Sequence, residues 1–449
     1  MKNAVMNKVF RNKYFQTYSK LFCCTVLFLA LTGVSYGQDN IQSKTIEKTF
    51  DRKEVVQIEH RYGPMVVKKA TDGKIKVTVT YTVEGNNQEG MERTLNYFDL
   101  DISDSGSSLS LKTDLNIQGW SISNKKSRIT FKDGKKVKGV KIKEAAMTLF
   151  LPQGINDLEL ANKYEDIELA DLGATNTNVK LYSGTLRTFG VLSNLTLNLK
   201  YGKAYLKDVK KGRFDIYDSK FTMGNSDDLN IKSKYSEFQV GDIGELEIIS
   251  YDDDYELGTI KGLLVIEDKY SEIEIKGFQK ARMKIYDAKL ESGDGQDLQI
   301  DSKYTKYRFT SLSSLTFDDS YDDDVAIEKV GDLSITSKYT EFRVGEFNGE
   351  LDFETYDDKL FIRKVGGGFA GMKVTGKYTD LEVPLSTVSA YTINAQMKYG
   401  RLNYPQRAFS SEYYKEKDGQ IEMRGTVNGG GDSSPNLQFD LYDCKVDLN

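Results

Sequence analysis

Ser233-Lys234-Tyr235-Ser236-Glu237-Phe238-Gln239-Val240 is answered one unit later by Ser250-Tyr251-Asp252-Asp253-Asp254-Tyr255-Glu256-Leu257, and this pair of octets decides the fold. Aligning the serines places Lys234 on Tyr251. The same column then runs forward through Lys269, Tyr286, Lys303, Tyr321, Lys338, Tyr356 and Lys377, and backward through Tyr217, Lys200, Tyr182 and Lys163. The spacings lie between 17 and 21 residues and average about 18, the mark of a repeat architecture.

Four residues after the column members stand Phe221, Phe238, Tyr255, Ile273, Leu290, Tyr307, Val325, Phe342, Leu360 and Leu381. Two further on come Met223, Val240, Leu257, Ile275, Phe309, Ile327, Val344, Ile362 and Val383, with mostly polar residues between. Such alternation predicts a strand with one buried face. A second strand closes each unit, with Ile231, Ile248, Ile266, Met283, Ile300, Ile335 and Phe353 three places before the column; Asp318 interrupts this pattern. Buried parity flips between the two strands, so the chain turns a corner at the Lys-Tyr or Tyr-Asp step. Glycines such as Gly241, Gly244, Gly258 and Gly262 mark the other bends.

Two short strands cannot enclose a core alone, whereas stacked coils can. The reading is therefore an all-β parallel β-solenoid, or β-helix, of about 18 residues per coil, right-handed by the usual rule for parallel crossovers. A flat antiparallel meander shares the period, but same-sense recurrence of identical sites favours stacking. The residue after the column is Tyr164, Ser183, Tyr201, Asp218, Tyr235, Asp252 and onward to Tyr378, so the two columns form a checkerboard. With coils about 4.8 Å apart, alternation holds like charges two coils apart. It predicts Lys234 directly stacked on Tyr251, each lysine between tyrosine rings in cation–π contact, and Asp252 diagonal to Lys234 and Lys269 for ion pairing.

Lys2, Lys8, Arg11, Lys13 and Lys20 precede an apolar run from Leu21 to Leu31, and Ser35-Tyr36-Gly37 offers a small-residue cleavage site. This pattern predicts a secretory signal peptide over residues 1–37, with an apolar run too short for the ~20 residues of a membrane span. Cys23 and Cys24 start that run and do not follow it, which disfavours a lipid anchor. The mature chain then has no transmembrane segment. Cys444 is its only cysteine, so no internal disulfide holds it together. Its net charge falls from −5 to −10, giving no support for nucleic acid as a partner. Five prolines and no Pro- or Ser-rich linker argue for one continuous architecture. The expected organisation is an N-terminal β region and cap over residues 38–160, repeats over 161–400, and a C-terminal cap over 401–449. A short helix is expected near Glu89 to Tyr97, and a basic stretch runs from Lys125 to Lys143.

Arg61-Tyr62-Gly63 on an early strand, the extended run Lys74 to Val83, Leu149 to Pro152 opening the repeats, and Asn428-Gly429-Gly430-Gly431 near the end together resemble the putative-adhesin family of bacterial β-solenoid domains of unknown function. The resemblance covers most of the mature chain. It implies an exported right-handed solenoid of the periplasm or cell surface, with a structural or adhesive role and an unnamed surface protein or glycan as partner. The dense Lys-Tyr and Tyr-Asp corners go beyond that pattern.

Catalytic signatures do not survive their context. His60 is the only histidine, which removes Ser-His-Asp and Cys-His nucleophile arrangements and most zinc sites; it reads as a surface residue. Gly33-Val34-Ser35-Tyr36-Gly37 fits GxSxG but falls in the signal peptide. Gly366-Gly367-Gly368-Phe369-Ala370-Gly371 fits GxGxxG with no helix expected after it, and Gly371 to Lys377 approaches a P-loop but continues with Tyr378. The clusters Asp252-Asp253-Asp254, Asp318-Asp319, Asp322-Asp323-Asp324 and Asp357-Asp358 read as solvated turns, with calcium ligation as the alternative. Charged residues recur in nearly every coil, where an active site breaks a repeat at one place. The chain therefore reads as a non-enzyme with no catalytic, metal or cofactor residues. A polysaccharide-binding or polysaccharide-degrading β-helix is the alternative.

Overall fold

A computed structural model describes residues 40–123 and 126–449 of the chain. The signal peptide read at residues 1–37, with its two cysteines, lies outside the described residues. Leu192–Lys200, Val209–Tyr217, Ser226–Lys234 and Ile243–Tyr251 pair in sequence, each parallel to the next. The short strands that follow their corners, Lys203–Leu206, Lys220–Met223 and Glu237–Val240, form a second parallel ladder. The fold is a β-solenoid of about 13 turns. Parallel pairing of equivalent strands disposes of the antiparallel meander.

The predicted buried columns face inward. Phe221, Phe238, Tyr255 and Ile273 on one ladder, and Ile231, Ile248, Ile266 and Met283 on the other, are all buried. Asp318 does not break the core, because the register shifts there. Ile300 pairs with Phe317 and Asp301 with Asp319, so Asp318 is an extra residue bulged out to solvent. Gly258 shows what the bend glycines do. A Cβ at that position would lie 2.5 Å from the backbone carbonyl of Gly241 in the coil below, so the coils approach there too closely for any side chain.

The corner itself is built by one backbone conformation. The second-column residue adopts positive φ in coil after coil: Tyr201 at 57°, Asp218 at 46°, Tyr235 at 59°, Asp252 at 57°, Tyr270 at 72° and Asp287 at 52°. This left-handed region inverts the chain direction and produces the parity flip seen in the sequence. Asp tolerates it, but Tyr adopts it at a cost of about 1–2 kcal/mol. Offsetting that strain, the N–H of each such residue donates to the first-column carbonyl of the next coil: Asp218 to Lys234 at 2.9 Å, Tyr235 to Tyr251 at 3.2 Å and Asp252 to Lys269 at 2.9 Å.

Inside the corner, the next residue faces the core and its N–H would be stranded. A column of small polar side chains meets it. Gly202 N–H donates to Ser219 Oγ at 3.1 Å, Ser219 to Ser236 Oγ at 3.2 Å, Ser236 to Asp253 Oδ1 at 2.7 Å and Asp253 to Ser271 Oγ at 3.0 Å. The ladder lapses at Ala288 and resumes through Thr305, Asp323, Thr340, Asp358 and Thr379 to Cys444, whose Sγ accepts from Thr379 at 3.4 Å. The middle aspartates of the clusters are therefore not solvated. Asp253, Asp323 and Asp358 are rungs of a buried ladder, while Asp252, Asp254, Asp318, Asp319, Asp322 and Asp357 face water.

The first and last coils depart from chain order. Val55–Arg61 pairs in parallel with Asp157–Lys163, and Met65–Lys69 with Ile167–Leu169. The residues between them fold back as antiparallel strands Ile75–Gly85 and Val140–Leu151, with the helix Gln88–Tyr97 capped by Asn87. At the other end Asn436–Tyr442 lies between Gly371–Lys377 and Tyr391–Lys398, parallel to both. The hairpin Phe409–Lys417 and Gln420–Val427 then covers the outer edge of Tyr391–Lys398.

Two predictions follow from the corner. Tyr270→Ala and Tyr270→Gly remove the same ring, so their difference isolates the backbone. At φ 72° the Gly variant should be the more stable by about 1 kcal/mol in chemical unfolding. At Tyr286, which has no positive φ, the order should reverse; equal effects at both sites would remove strain from the account. The second concerns Asp253, whose pKa burial pushes up to about 6 despite hydrogen bonds from Ser233 and from the Ser236 and Tyr251 amides. A carboxyl raised on folding supports the fold when protonated, and that support is lost as pH rises through the folded value. Relative to Asp253→Asn, the native protein should lose up to about 3 kcal/mol between pH 4 and 7. A native protein that instead gains on the variant with rising pH would show that the three donors outweigh burial.

Candidate binding surface

Outside the corner, the two columns present their side chains to solvent. The stacking is as predicted. Tyr217 pairs with Lys234, Tyr251 with Lys269, Lys269 with Tyr286 and Tyr286 with Lys303. Lys234 Nζ lies 5.5 Å from the centroid of the Tyr251 ring, Lys269 6.0 Å from Tyr286 and Lys303 5.8 Å from Tyr321. Each of these contacts reaches the following coil only, so the lysines do not sit between two rings.

The reason is that the rings turn to one another. Tyrosine occupies the second column in one coil and the first column in the next, so the tyrosines of adjacent coils are diagonal neighbours. From Tyr164 and Tyr182 through Tyr201, Tyr217, Tyr235 and Tyr251 they touch edge to face at centroid distances of 5.3–5.7 Å. The series continues without a gap through Tyr270, Tyr286, Tyr304, Tyr321, Tyr339, Tyr356 and Tyr378 to Tyr442 and Tyr399. Tyr62 stacks on Tyr164 at 5.8 Å to complete a rail of sixteen rings. Edge-to-face pairs are worth about 0.5–1.5 kcal/mol each beyond their area. Crowding among the rings, and then neighbouring tyrosine and aspartate, push the phenols of Tyr235, Tyr270 and Tyr304 up, so these hydroxyls stay protonated at neutral pH.

The rail is not sealed. Tyr235 is 47% exposed and Tyr270 43%. At sixteen corners spaced about 4.8 Å apart, it is about 70 Å long. Lysines line one side and aspartates the other. The expected ion pairing does not occur: among the described residues, neither Lys234, Lys269 and Lys303 nor Asp218, Asp252 and Asp287 enter an ion pair within 4.0 Å. The physical cause is the intervening row of rings, which holds the two charged columns apart.

The other residues singled out by the sequence lie away from this surface or take structural places in it. His60 is wholly buried, not on the surface, because it shares the inward parity of Val56 and Ile58. Its Nδ1 lies 3.2 Å from Thr113 Oγ1 and burial pulls its pKa down to about 4. Cys444 is buried, its thiol pushed up by desolvation. Gly366 to Ala370 form the turn that leads into the strand Gly371–Lys377, and Lys377 is a corner residue 6.0 Å from the Tyr442 ring. Among the described residues no three His, Cys, Asp or Glu side chains converge as metal ligands, and no helix is long and apolar enough to cross a membrane.

No family model matches the chain, and no curated protein sequence matches it. The chain is similar to solved structures named for adhesion. A "putative cell adhesion protein" from Clostridium sporogenes is 9% identical, covering 91% of this chain and 99% of that one with a TM-score of 0.17. A "putative adhesin" from Parabacteroides distasonis is 9% identical over 68% and 97%, with a TM-score of 0.28. A "putative lipid binding protein" from the same organism is 10% identical over 74% and 96%, with a TM-score of 0.18. The fold rests on the strand pairing above and not on these likenesses.

Proposed function

We propose that the chain is an exported, non-catalytic binding solenoid of the bacterial envelope that engages an extended partner along its tyrosine rail. The observation that carries this reading is the rail itself: a row of sixteen rings, most of them part-exposed, flanked by charges such as Lys234, Lys269, Asp252 and Asp287 that enter no ion pair among the described residues. Tyrosine is favoured in recognition surfaces because it offers a large rigid face and a hydrogen-bonding tip. Regular recurrence of the same corner supports a repeated, distributed contact over a single reaction centre, and no lone acid–base pair breaks the pattern. Residues 1–37 serve as the export signal, residues 38–160 and 401–449 close the ends, and residues 161–400 carry the long binding edge.

The test has two arms. Protease treatment of intact cells, with fractionation, should find the protein outside the inner membrane; a cytoplasmic pool alone would remove the envelope from the reading. Replacing Tyr235, Tyr270 and Tyr304 with Ser, after circular dichroism has verified the fold, should cut binding to intact cells or to a glycan array by about tenfold or more. Wild-type binding that survives this change, or reproducible turnover of a polysaccharide, would overturn the proposal.

A further inference from the structure

From Lys200 to Asp357, the two charged columns flanking the rail carry charges that enter no ion pair within 4.0 Å among the described residues. Elsewhere, several charges pair between adjacent coils: Lys180 with Glu159 at 2.7 Å, Lys289 with Glu272, and Lys220 with Glu237. At the corners, the cations Lys200, Lys234, Lys269, Lys303 and Lys338 stand on one side and the anions Asp218, Asp252, Asp287, Asp322 and Asp357 on the other, all exposed. Like charges recur every second coil, about 9.6 Å apart. The stripe is thus a zwitterionic strip with its poles separated across the rings.

Such a strip has one self-complementary arrangement. A two-fold axis parallel to the solenoid axis exchanges left and right while keeping height, so the lysine column of one copy faces the aspartate column of the other on both sides. At equal height each lysine meets a tyrosine and each aspartate meets a tyrosine, with lysine and aspartate one coil apart on the diagonal. A two-fold axis perpendicular to the solenoid axis instead sets lysine column against lysine column. Isologous dimers require this kind of self-complementarity, and like charges brought together across an interface are costly. A strip about 70 Å long and about 10 Å wide covers about 700 Å² on each partner, close to the ~800 Å² of a standard stable interface.

We infer that the partner of the rail is a second copy of this chain, laid alongside with both solenoid axes pointing the same way. The inference rests on the reading of the rail as a binding surface, and names its occupant. Rings meet across the two-fold, lysines reach tyrosine faces and diagonal aspartates of the partner, and the unpaired charges of both copies are satisfied together.

Sedimentation velocity of the purified protein over about 1 to 100 µM should reveal a dimer that weakens as salt is raised. An all-anionic rail, with Lys234, Lys269 and Lys303 each changed to Glu, should weaken self-association by about tenfold or more, and so should an all-cationic rail, with Asp252, Asp287 and Asp322 each changed to Lys. Mixing the two variants should restore a dimer, because each column then faces its opposite; recovery from the mixture also shows that both variants are folded. A monomer at all concentrations, a dimer strengthened by salt as the antiparallel arrangement requires, or a dimer indifferent to both variants would overturn the inference. A monomer that still binds a glycan through Tyr235, Tyr270 and Tyr304 would overturn it while leaving the reading of the rail intact.

Discussion

The structure depends on one hydrogen bond repeated at every corner but that of Tyr399, from the N–H of a residue in the left-handed conformation to the carbonyl of the residue stacked before the next corner. Tyr164 donates to Tyr182 at 2.7 Å, Tyr201 to Tyr217 at 3.0 Å, and the series runs on to Tyr378 and Tyr442 at 3.0 Å. Without it, the chain has no means of reversing the buried face between two short strands. With it, every first-column residue lies on its counterpart, which fixes the register of both ladders at once. The outer rings and the inner Ser, Thr and Asp ladder are consequences: one covers the exposed side of a strained backbone, and the other satisfies the amide that the turn leaves in the core.

The C-terminal coil shows that alternation is a rule of space and not of sequence. Lys377 is followed along the chain by Lys398 as the next corner lysine, and stacking those two coils would put cation on cation. Tyr442-Asp443 enters between them. Lys377 Nζ and Lys398 Nζ each lie 6.0 Å from the Tyr442 ring, one from either side, and Asp443 N–H donates to the Lys398 carbonyl at 2.8 Å. The one failure is at the opposite end, where Arg61 pairs with Lys163 and Tyr62 stacks face to face on Tyr164. There Glu59 takes the Arg61 charge at 3.0 Å.

Much of this was legible in the sequence, because period and parity are long-range signals that survive local exceptions. The corner, the coil length and both buried columns followed from them. The residues misread were those whose partner is set by a neighbouring coil and not by neighbours in the chain. Asp253 looks like one of three turn aspartates along the sequence; its role shows only in the column that also holds Ser236, Ser271, Thr305, Thr340 and Thr379, every one a small hydrogen-bonding residue. The tyrosine rail was likewise present in the checkerboard, as its diagonal. Reading columns alone matched Lys with Tyr and Lys with Asp, and missed that ring-to-ring contact along the diagonal would exclude the ion pairs. His60 was read as exposed because one polar residue at an inward position carries no periodic signal. The end coils escaped because the chain order Tyr391–Lys398 before Asn436–Tyr442 is reversed in the stack.

A surface made this way has a property that scattered aromatics lack. Phe361 is an exposed apolar residue with 47% of its surface open, on the outward face of the strand Lys359–Val365, where its cross-coil partners are Arg343 and Glu382 and not rings. Binding through such a residue has to order a free side chain. Each tyrosine between the ends of the rail already has rings above and below it, and its backbone is fixed by the corner hydrogen bond, so its rotamer freedom is spent on folding and not on association. Ordering costs of about 0.5–1.5 kcal/mol per side chain are thereby moved from binding to folding. Over many rings that transfer is large compared with the modest attraction available at any single exposed tyrosine, so a weak contact repeated at every coil can hold a partner that no one corner could.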